Sequence, residues 1–87
     1  MYLHLGQSVV VPLREVVGIF DLDNTTASHR TRAFLTRAER EGRVINISEE
    51  LPRSFVLCRR ADGKSLVYLS QLSPATLARR AAEGFPR

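Results

Sequence analysis

Asp21 and Asp23 stand one residue apart directly after the apolar run 16–20, and Thr25 follows at the same interval. Carboxylates at this spacing after a buried strand can act as nucleophile and as acid/base in phosphoryl transfer, with Mg²⁺ neutralising the phosphate. Hydrolysis of a phosphomonoester is therefore the first chemistry that the sequence raises.

This short segment resembles the nucleophile motif of the haloacid-dehalogenase-type phosphatases. Those enzymes need a parallel sheet with crossover helices, a later cationic side chain and a second acidic pair, and 87 residues are too few to build that sheet. Alternatively, the two carboxylates form a strand-to-helix turn and stabilise the positive N-terminal end of the next helix. We favour the turn and expect no enzymatic activity.

His4, His29 and Cys58 are the soft metal ligands of the chain. A structural zinc site takes four ligands in characteristic spacing, and these three residues fit no such pattern. Cys58 stands inside an apolar run, which is typical of a small core residue. We therefore expect neither a metal nor another cofactor.

Arginine dominates the positive charge. The chain has 13 lysines and arginines against nine acidic residues, a formal net charge of +4, and Lys64 is its single lysine. A planar guanidinium matches phosphate bidentately, which a flexible ammonium does not. This bias indicates a phosphate-bearing partner; a general preference for arginine, a solvated face and ion pairs to a neighbouring subunit are the alternatives.

The helix predicted after the carboxylates carries the densest cluster of these arginines. Residues 30–48 contain five arginines against Glu39 and Glu41. At 100° per residue, Arg30, Arg37 and Arg40 lie along one flank of its apolar stripe, and Arg32 lies on the other flank. Guanidinium groups along one edge of a helix can follow a phosphate backbone.

Short elements must position these residues. Apolar runs at 2–5, 9–11, 15–20, 43–47, 53–59 and 65–69 predict six strands, of which 15–20 reads as largely buried. Helical spacing predicts a central helix over 26–41 that ends at Gly42, and Ser73 followed by Pro74 opens a C-terminal helix through residue 82.

The order of these elements predicts an α+β fold. We expect one small domain over residues 1–87, with a mainly antiparallel sheet, one central helix and one C-terminal helix. Ala61-Asp62-Gly63-Lys64 predicts a tight turn between the last two strands. Ala27, Thr31, Phe34, Leu35 and Ala38 form the apolar side of the central helix.

The lengths of the apolar runs bear on the expected cellular location. None approaches the ~18 residues of a membrane span, and the first residues show no basic-then-apolar leader. We expect a cytoplasmic protein with no membrane partner and no small-molecule substrate. A domain of this size buries only ~60–65% of its unfolded surface, so self-association is a natural source of extra stability.

Five segments in a specific order and spacing resemble a known family: YLHLG (2–6), VVGIFD (16–21), SHRTRAFL (28–35), PRSFV (52–56) and YLSQLSPATL (68–77). Over roughly residues 2–82 the chain resembles the bacterial regulators of extracellular-matrix (biofilm) genes, the RemA/RemB family, and most of all its RemB branch. The resemblance implies a DNA-binding transcriptional regulator that forms ring-like homo-oligomers with arginines on the outer surface.

Double-stranded DNA is the partner that the resemblance and the excess of arginine imply. The arginines that we expect to contact its backbone are Arg14, Arg30, Arg32, Arg37 and Arg53. A ring multiplies weak contacts, because linked sites bind at high effective concentration.

Two positions depart from the family pattern. Glu15 stands where the family has a functional arginine, beside Arg14, and Glu49 and Glu50 stand where it has an arginine pair. This acidic pair leaves a second hypothesis open, an oligomeric protein-interaction scaffold that binds no nucleic acid.

Overall fold

The computed structural model describes residues 1–22 and 29–83 and confirms the α+β prediction. A 3-10 turn at Leu13–Glu15 joins the second strand to the third. The helices and strands are β1 (Tyr2–Gly6), β2 (Val9–Pro12), β3 (Val16–Asp21), α1 (His29–Arg40), β4 (Val44–Asn46), β5 (Ser54–Arg59), β6 (Ser65–Ser70) and α2 (Pro74–Glu83). Asp23, Thr25, Ala27 and the start of the helix predicted over 26–41 lie outside the described residues.

In the part of the chain that the structure describes, six strands form two sheets. β1 and β2 make an antiparallel hairpin, and the other four strands lie in the order β3-β5-β6-β4. β3 pairs antiparallel with β5, and β5 with β6, whereas β4 pairs parallel with β6. α1 packs on one face of the four-stranded sheet, and the β1–β2 hairpin with α2 packs on the other.

The core between the sheet and the β1–β2 hairpin is the larger of two. Its buried members are Leu3, Leu5, Val11, Val56, Cys58 and Leu77. Two serines with no exposed surface fix its geometry: the Ser70 hydroxyl donates to the Leu5 carbonyl (2.8 Å) and the Ser54 hydroxyl donates to the Leu72 carbonyl (2.8 Å). Among the described residues, every buried side-chain polar atom has a hydrogen-bond partner, and the Ser70 bond ties the hairpin to the sheet in addition to the apolar contact.

A second core lies under α1. Ala38, Phe55 and Val67 are buried there, with Phe34 and Leu35 packed beside them. The described residues of the predicted apolar side therefore do face the sheet. The helix ends where expected: Gly42 has a φ of 74°, and the Arg43 amide donates to the Ala38 carbonyl at 2.8 Å.

The prediction that residues 15–20 form a largely buried strand is wrong. β3 is an edge strand, with Val17 61% exposed and Phe20 43% exposed. A bulge between Val16 and Gly18 turns Val17 away from the core. The unbroken apolar run suggested cover on both faces, but α1 contacts mainly β4 and β6 and leaves the β3–β5 half of its face open.

Strand direction gives the sheet two distinct ends. At the turn end lie the β5–β6 turn at 60–64, the start of β3 and the last residues of α1. At the loop end lie the β4–β5 loop at 47–53, the end of β3 and the first described turn of α1. These ends determine which charges come together.

Candidate nucleic-acid interface

Most arginine side chains in the described residues are exposed at the surface of the domain. Of the 11 arginines in the part of the chain that the structure describes, ten are exposed. The exception is half-buried Arg43, which pairs with Glu41 (Nε–Oε1 2.8 Å) and donates to Ser65 Oγ at 2.7 Å. Most guanidinium groups therefore remain accessible to a partner.

The five arginines predicted to contact DNA fall into two groups. Arg14, in the 3-10 turn before β3, and Arg37, in the last turn of α1, lie at the turn end. Arg30 and Arg32 in the first described turn of α1, and Arg53 just before β5, lie at the loop end. All five are exposed.

The turn end gathers cations that the sequence left scattered. Arg14 and Arg37 are joined there by four more exposed cations, namely Arg40, Arg59, Arg60 and Lys64, and by Arg43. Four acidic residues accompany these seven cations, namely Glu15, Glu39, Glu41 and Asp62. The turn end therefore carries a formal charge of +3.

Strand register is what brings this group together. Val16 pairs with Cys58, which places the chain just before β3 next to the chain just after β5. The β5–β6 turn is closed by the Arg60 amide donating to the Lys64 carbonyl at 2.7 Å. The sequence predicts the turn at Asp62-Gly63, but it does not predict that β3 pairs with β5.

Charge in the described part of the loop end is balanced. Arg30, Arg32 and Arg53 share it with three acidic residues, Asp21, Glu49 and Glu50. The two glutamates are exposed in the β4–β5 loop. The Glu49 backbone amide donates a hydrogen bond to Gln71 Oε1 at 2.9 Å, which holds this part of the loop in place. An approaching polyanion meets far less net positive charge here than at the turn end.

Other candidate chemistry finds no assembled site in the described residues. Asp21 ends an antiparallel edge strand, whereas the phosphatase motif belongs to a parallel sheet. Cys58 is buried, and burial, with a smaller contribution from Glu15, raises the pKa of its thiol to about 11. No three or more His, Cys, Asp or Glu residues among 1–22 and 29–83 come together as metal ligands would.

Neither α1 nor α2, the helices in the described ranges, is long and apolar enough to cross a membrane.

The sequence matches known proteins over nearly the whole chain. Residues 2–81 match the family described as "RemA-like: Extracellular matrix regulatory protein A-like". The chain is also 35% identical over 81 residues to "Extracellular matrix regulatory protein B" of Bacillus subtilis (strain 168), which covers 93% of this chain and 90% of that protein. The matched residues run from β1 into α2, and the chain belongs to the RemA-like family of extracellular matrix regulatory proteins.

Proposed function

We propose that this protein is a cytoplasmic transcriptional regulator of extracellular matrix genes that binds double-stranded DNA as a homo-oligomer. Membership of a family of extracellular matrix regulatory proteins supports the regulatory role. The observation that carries the DNA partner is the set of ten exposed arginines among residues 1–22 and 29–83.

Phosphate contact is the mode of binding that these arginines favour. Each guanidinium can donate two parallel hydrogen bonds to a phosphate group, and each such contact releases counterions from the duplex. The five arginines lie at separate places, on α1, in the 3-10 turn before β3 and just before β5, and not along one helix. We therefore expect readout chiefly of the backbone and of duplex shape.

Self-association makes sparse contacts sufficient. One domain has a longest dimension of 39 Å, and its described arginines are divided between the two ends of the sheet and α2. When several copies bind one duplex, every contact after the first forms at high effective concentration, so that the assembly binds far more tightly than one copy.

The test is the affinity for a fluorescent duplex, measured by anisotropy at a series of salt concentrations. We expect the logarithm of the binding constant to fall linearly with the logarithm of salt, with a slope of about −0.9 for each phosphate contact. Replacing Arg14, Arg30, Arg32, Arg37 and Arg53 by glutamine is expected to abolish binding and to leave the thermal unfolding midpoint unchanged, because all five are exposed.

The matched control replaces Arg79 and Arg80, which are exposed on α2 across the sheet from α1. This variant loses two charges and is expected to bind DNA almost as well as the unmodified protein. An intact oligomer that binds no duplex at low salt would overturn the DNA proposal and favour the protein-interaction scaffold. In that case the five-arginine variant would still bind the protein partner.

A further inference from the structure

An apolar groove lies open on the α1 face of the sheet. In the described residues, α1 packs mainly against β4 and β6, and a groove of about 260 Å³ remains between α1 and the β3–β5 side of the sheet. Its lining residues are Phe20, Arg30, Thr31, Phe34, Phe55 and Leu57. The Phe20 and Phe55 rings stack at its base with centroids 4.7 Å apart, and Phe20 is nevertheless 43% exposed. Among the described residues of one copy, the Phe20 ring stays partly in water, whereas Phe55 is buried.

The most exposed large apolar side chain in the described residues is Leu51, at 86%. It follows two exposed glutamates, Glu49 and Glu50, and precedes Pro52 in the β4–β5 loop. Hydrogen bonds fix this loop: the Ser48 hydroxyl donates to the Glu50 carbonyl (2.8 Å), and the Glu49 amide donates to Gln71 Oε1 (2.9 Å). The leucine is therefore displayed by an ordered loop.

We propose that Leu51 of one copy occupies the groove of a second copy, with Glu49 and Glu50 facing Arg30 there. The two surfaces are complementary in both respects that matter: an exposed leucine meets an open aromatic groove, and two carboxylates meet a guanidinium at its edge. A second copy is favoured over another partner because this chain itself supplies the acidic, apolar segment that fits.

This contact specifies the subunit interface of the homo-oligomer and so depends on the proposed function. Loop and groove both lie at the loop end of the sheet, but they are different surfaces. Two copies can exchange them reciprocally in a dimer, or successive copies can repeat the contact around a closed ring. Either arrangement leaves the cations of the turn end outside the contact.

The first test replaces Leu51 by aspartate and measures self-association by sedimentation velocity without DNA. Because the side chain is 86% exposed, the variant should fold normally by circular dichroism. We expect its dissociation constant for self-association to rise by about tenfold or more, because a buried leucine is replaced by a charge. Tyr2→Asp, at a position 62% exposed on β1, is the matched control and should associate like the unmodified protein.

A charge reversal tests the polar half of the contact. Arg30→Glu, and separately the double variant Glu49→Lys with Glu50→Lys, should each weaken association several-fold because like charges then face each other. Combining all three substitutions in one chain should restore the original mass. Restoration identifies the contact, since a loss of folding would not be reversed by further substitution.

Two results would overturn the inference: an unmodified protein that stays monomeric at high concentration, or a Leu51→Asp variant with unchanged assembly. The second result leaves the proposed DNA binding standing, because Arg30 is the one predicted DNA contact that lines the groove, and Arg14, Arg32, Arg37 and Arg53 do not line it. Conversely, loss of DNA binding with association unchanged would remove the function and leave this interface intact.

Discussion

Cys58 shows how one residue reports on its surroundings. It is 1% exposed in the core beneath the β1–β2 hairpin, and burial followed by the charge of Glu15 raises its thiol pKa from 9.0 to about 11. Burial likewise raises the pKa of Tyr68, which packs against the same core, and Cys58 and Glu15 add to that shift. At neutral pH the thiol is protonated and enclosed, so it contributes packing and not nucleophilic chemistry.

This raised pKa predicts a loss of stability in alkali. Between about pH 9 and 11 the unfolded thiol releases its proton while the folded thiol keeps it, so the unfolded state binds fewer protons and the free energy of unfolding decreases. The contribution of the Cys58 thiol to the free energy of unfolding is complete below pH 9. It declines by up to about 2 kcal/mol as pH rises through that window. Urea unfolding at several pH values measures the decline.

Cys58→Ala provides the control for this titration. It lowers stability at every pH, because a buried side chain is truncated, but it should flatten the slope between pH 9 and 11. A variant with the same alkaline slope as the unmodified protein would show that other groups cause the decline.

Ser70 carries a second prediction at this scale. Its fully buried hydroxyl donates to the Leu5 carbonyl (2.8 Å) and accepts from the Leu72 amide (3.0 Å). Ser70→Ala leaves both backbone groups without this partner, and we expect it to lower the free energy of unfolding by about 1–3 kcal/mol in urea titrations. Thr36→Ala, at an exposed position on α1, should change it by less than about 0.5 kcal/mol. Equal effects would show that the Ser70 hydrogen bonds contribute little.

The sequence predicted the roles of single residues unevenly. Cys58 as a core residue and Gly42 as a helix stop follow from local neighbours, and both are confirmed. Ser70 at the end of an apolar strand gives no comparable signal, because its partners are 65 residues earlier and two residues later in the chain. Hydrogen bonds to such distant backbone depend on how the hairpin docks.

At the scale of elements, β3 is where local pattern and tertiary structure differ. Its apolar residues pack against the β1–β2 hairpin on one side and line the open groove on the other. In the sequence, an apolar side chain on an exposed face of a sheet looks the same as a buried one. The pattern of apolar residues does not show whether another part of the same chain packs over that face. The predicted strand is present in the structure. Its position at the edge of the sheet could not be predicted, because the sequence pattern does not give the order of the strands.

Gly18 controls the shape of this element. A Cβ atom at Gly18 would lie 2.8 Å from two ring atoms of Phe20. Gly18→Ala should therefore displace the ring from its stack on Phe55, at a cost of about 0.5–1.5 kcal/mol, and should weaken self-association. Aromatic NMR shifts of the two phenylalanines, together with the sedimentation measurement, test both expectations.

Val17→Ala is the neighbouring control for that substitution. Val17 is 61% exposed and points away from the core, so its truncation should leave the aromatic shifts in place. If Gly18→Ala preserved the Phe20 and Phe55 shifts, the close approach of ring and backbone would not determine the groove.

Across the whole molecule, charge is separated between the two ends of the sheet. The turn end carries seven cations against four acidic residues, whereas the described part of the loop end carries three of each. The sequence predicted a basic protein and a basic helix, yet it could not assign Arg59 and Arg60 to the same end as Arg14. That grouping depends on the register of β3 with β5.

This asymmetry predicts unequal contributions to DNA binding. Two variants that each lose two positive charges allow the comparison: Arg14→Gln with Arg37→Gln at the turn end, and Arg32→Gln with Arg53→Gln at the loop end. We expect the turn-end variant to lose more affinity and a larger part of the salt slope, because the turn end carries a net charge of +3 whereas the described part of the loop end is balanced. Anisotropy titrations at matched salt measure both. Equal losses would mean that net charge at each end does not determine where the duplex lies.

The most direct measurement of the central claim is sedimentation velocity of the unmodified protein with a fluorescent duplex, first at low and then at high salt. The account predicts that the duplex sediments with an assembly of several copies at low salt and is released as salt rises, while the assembly itself persists. An intact assembly that leaves the duplex free at low salt would contradict it.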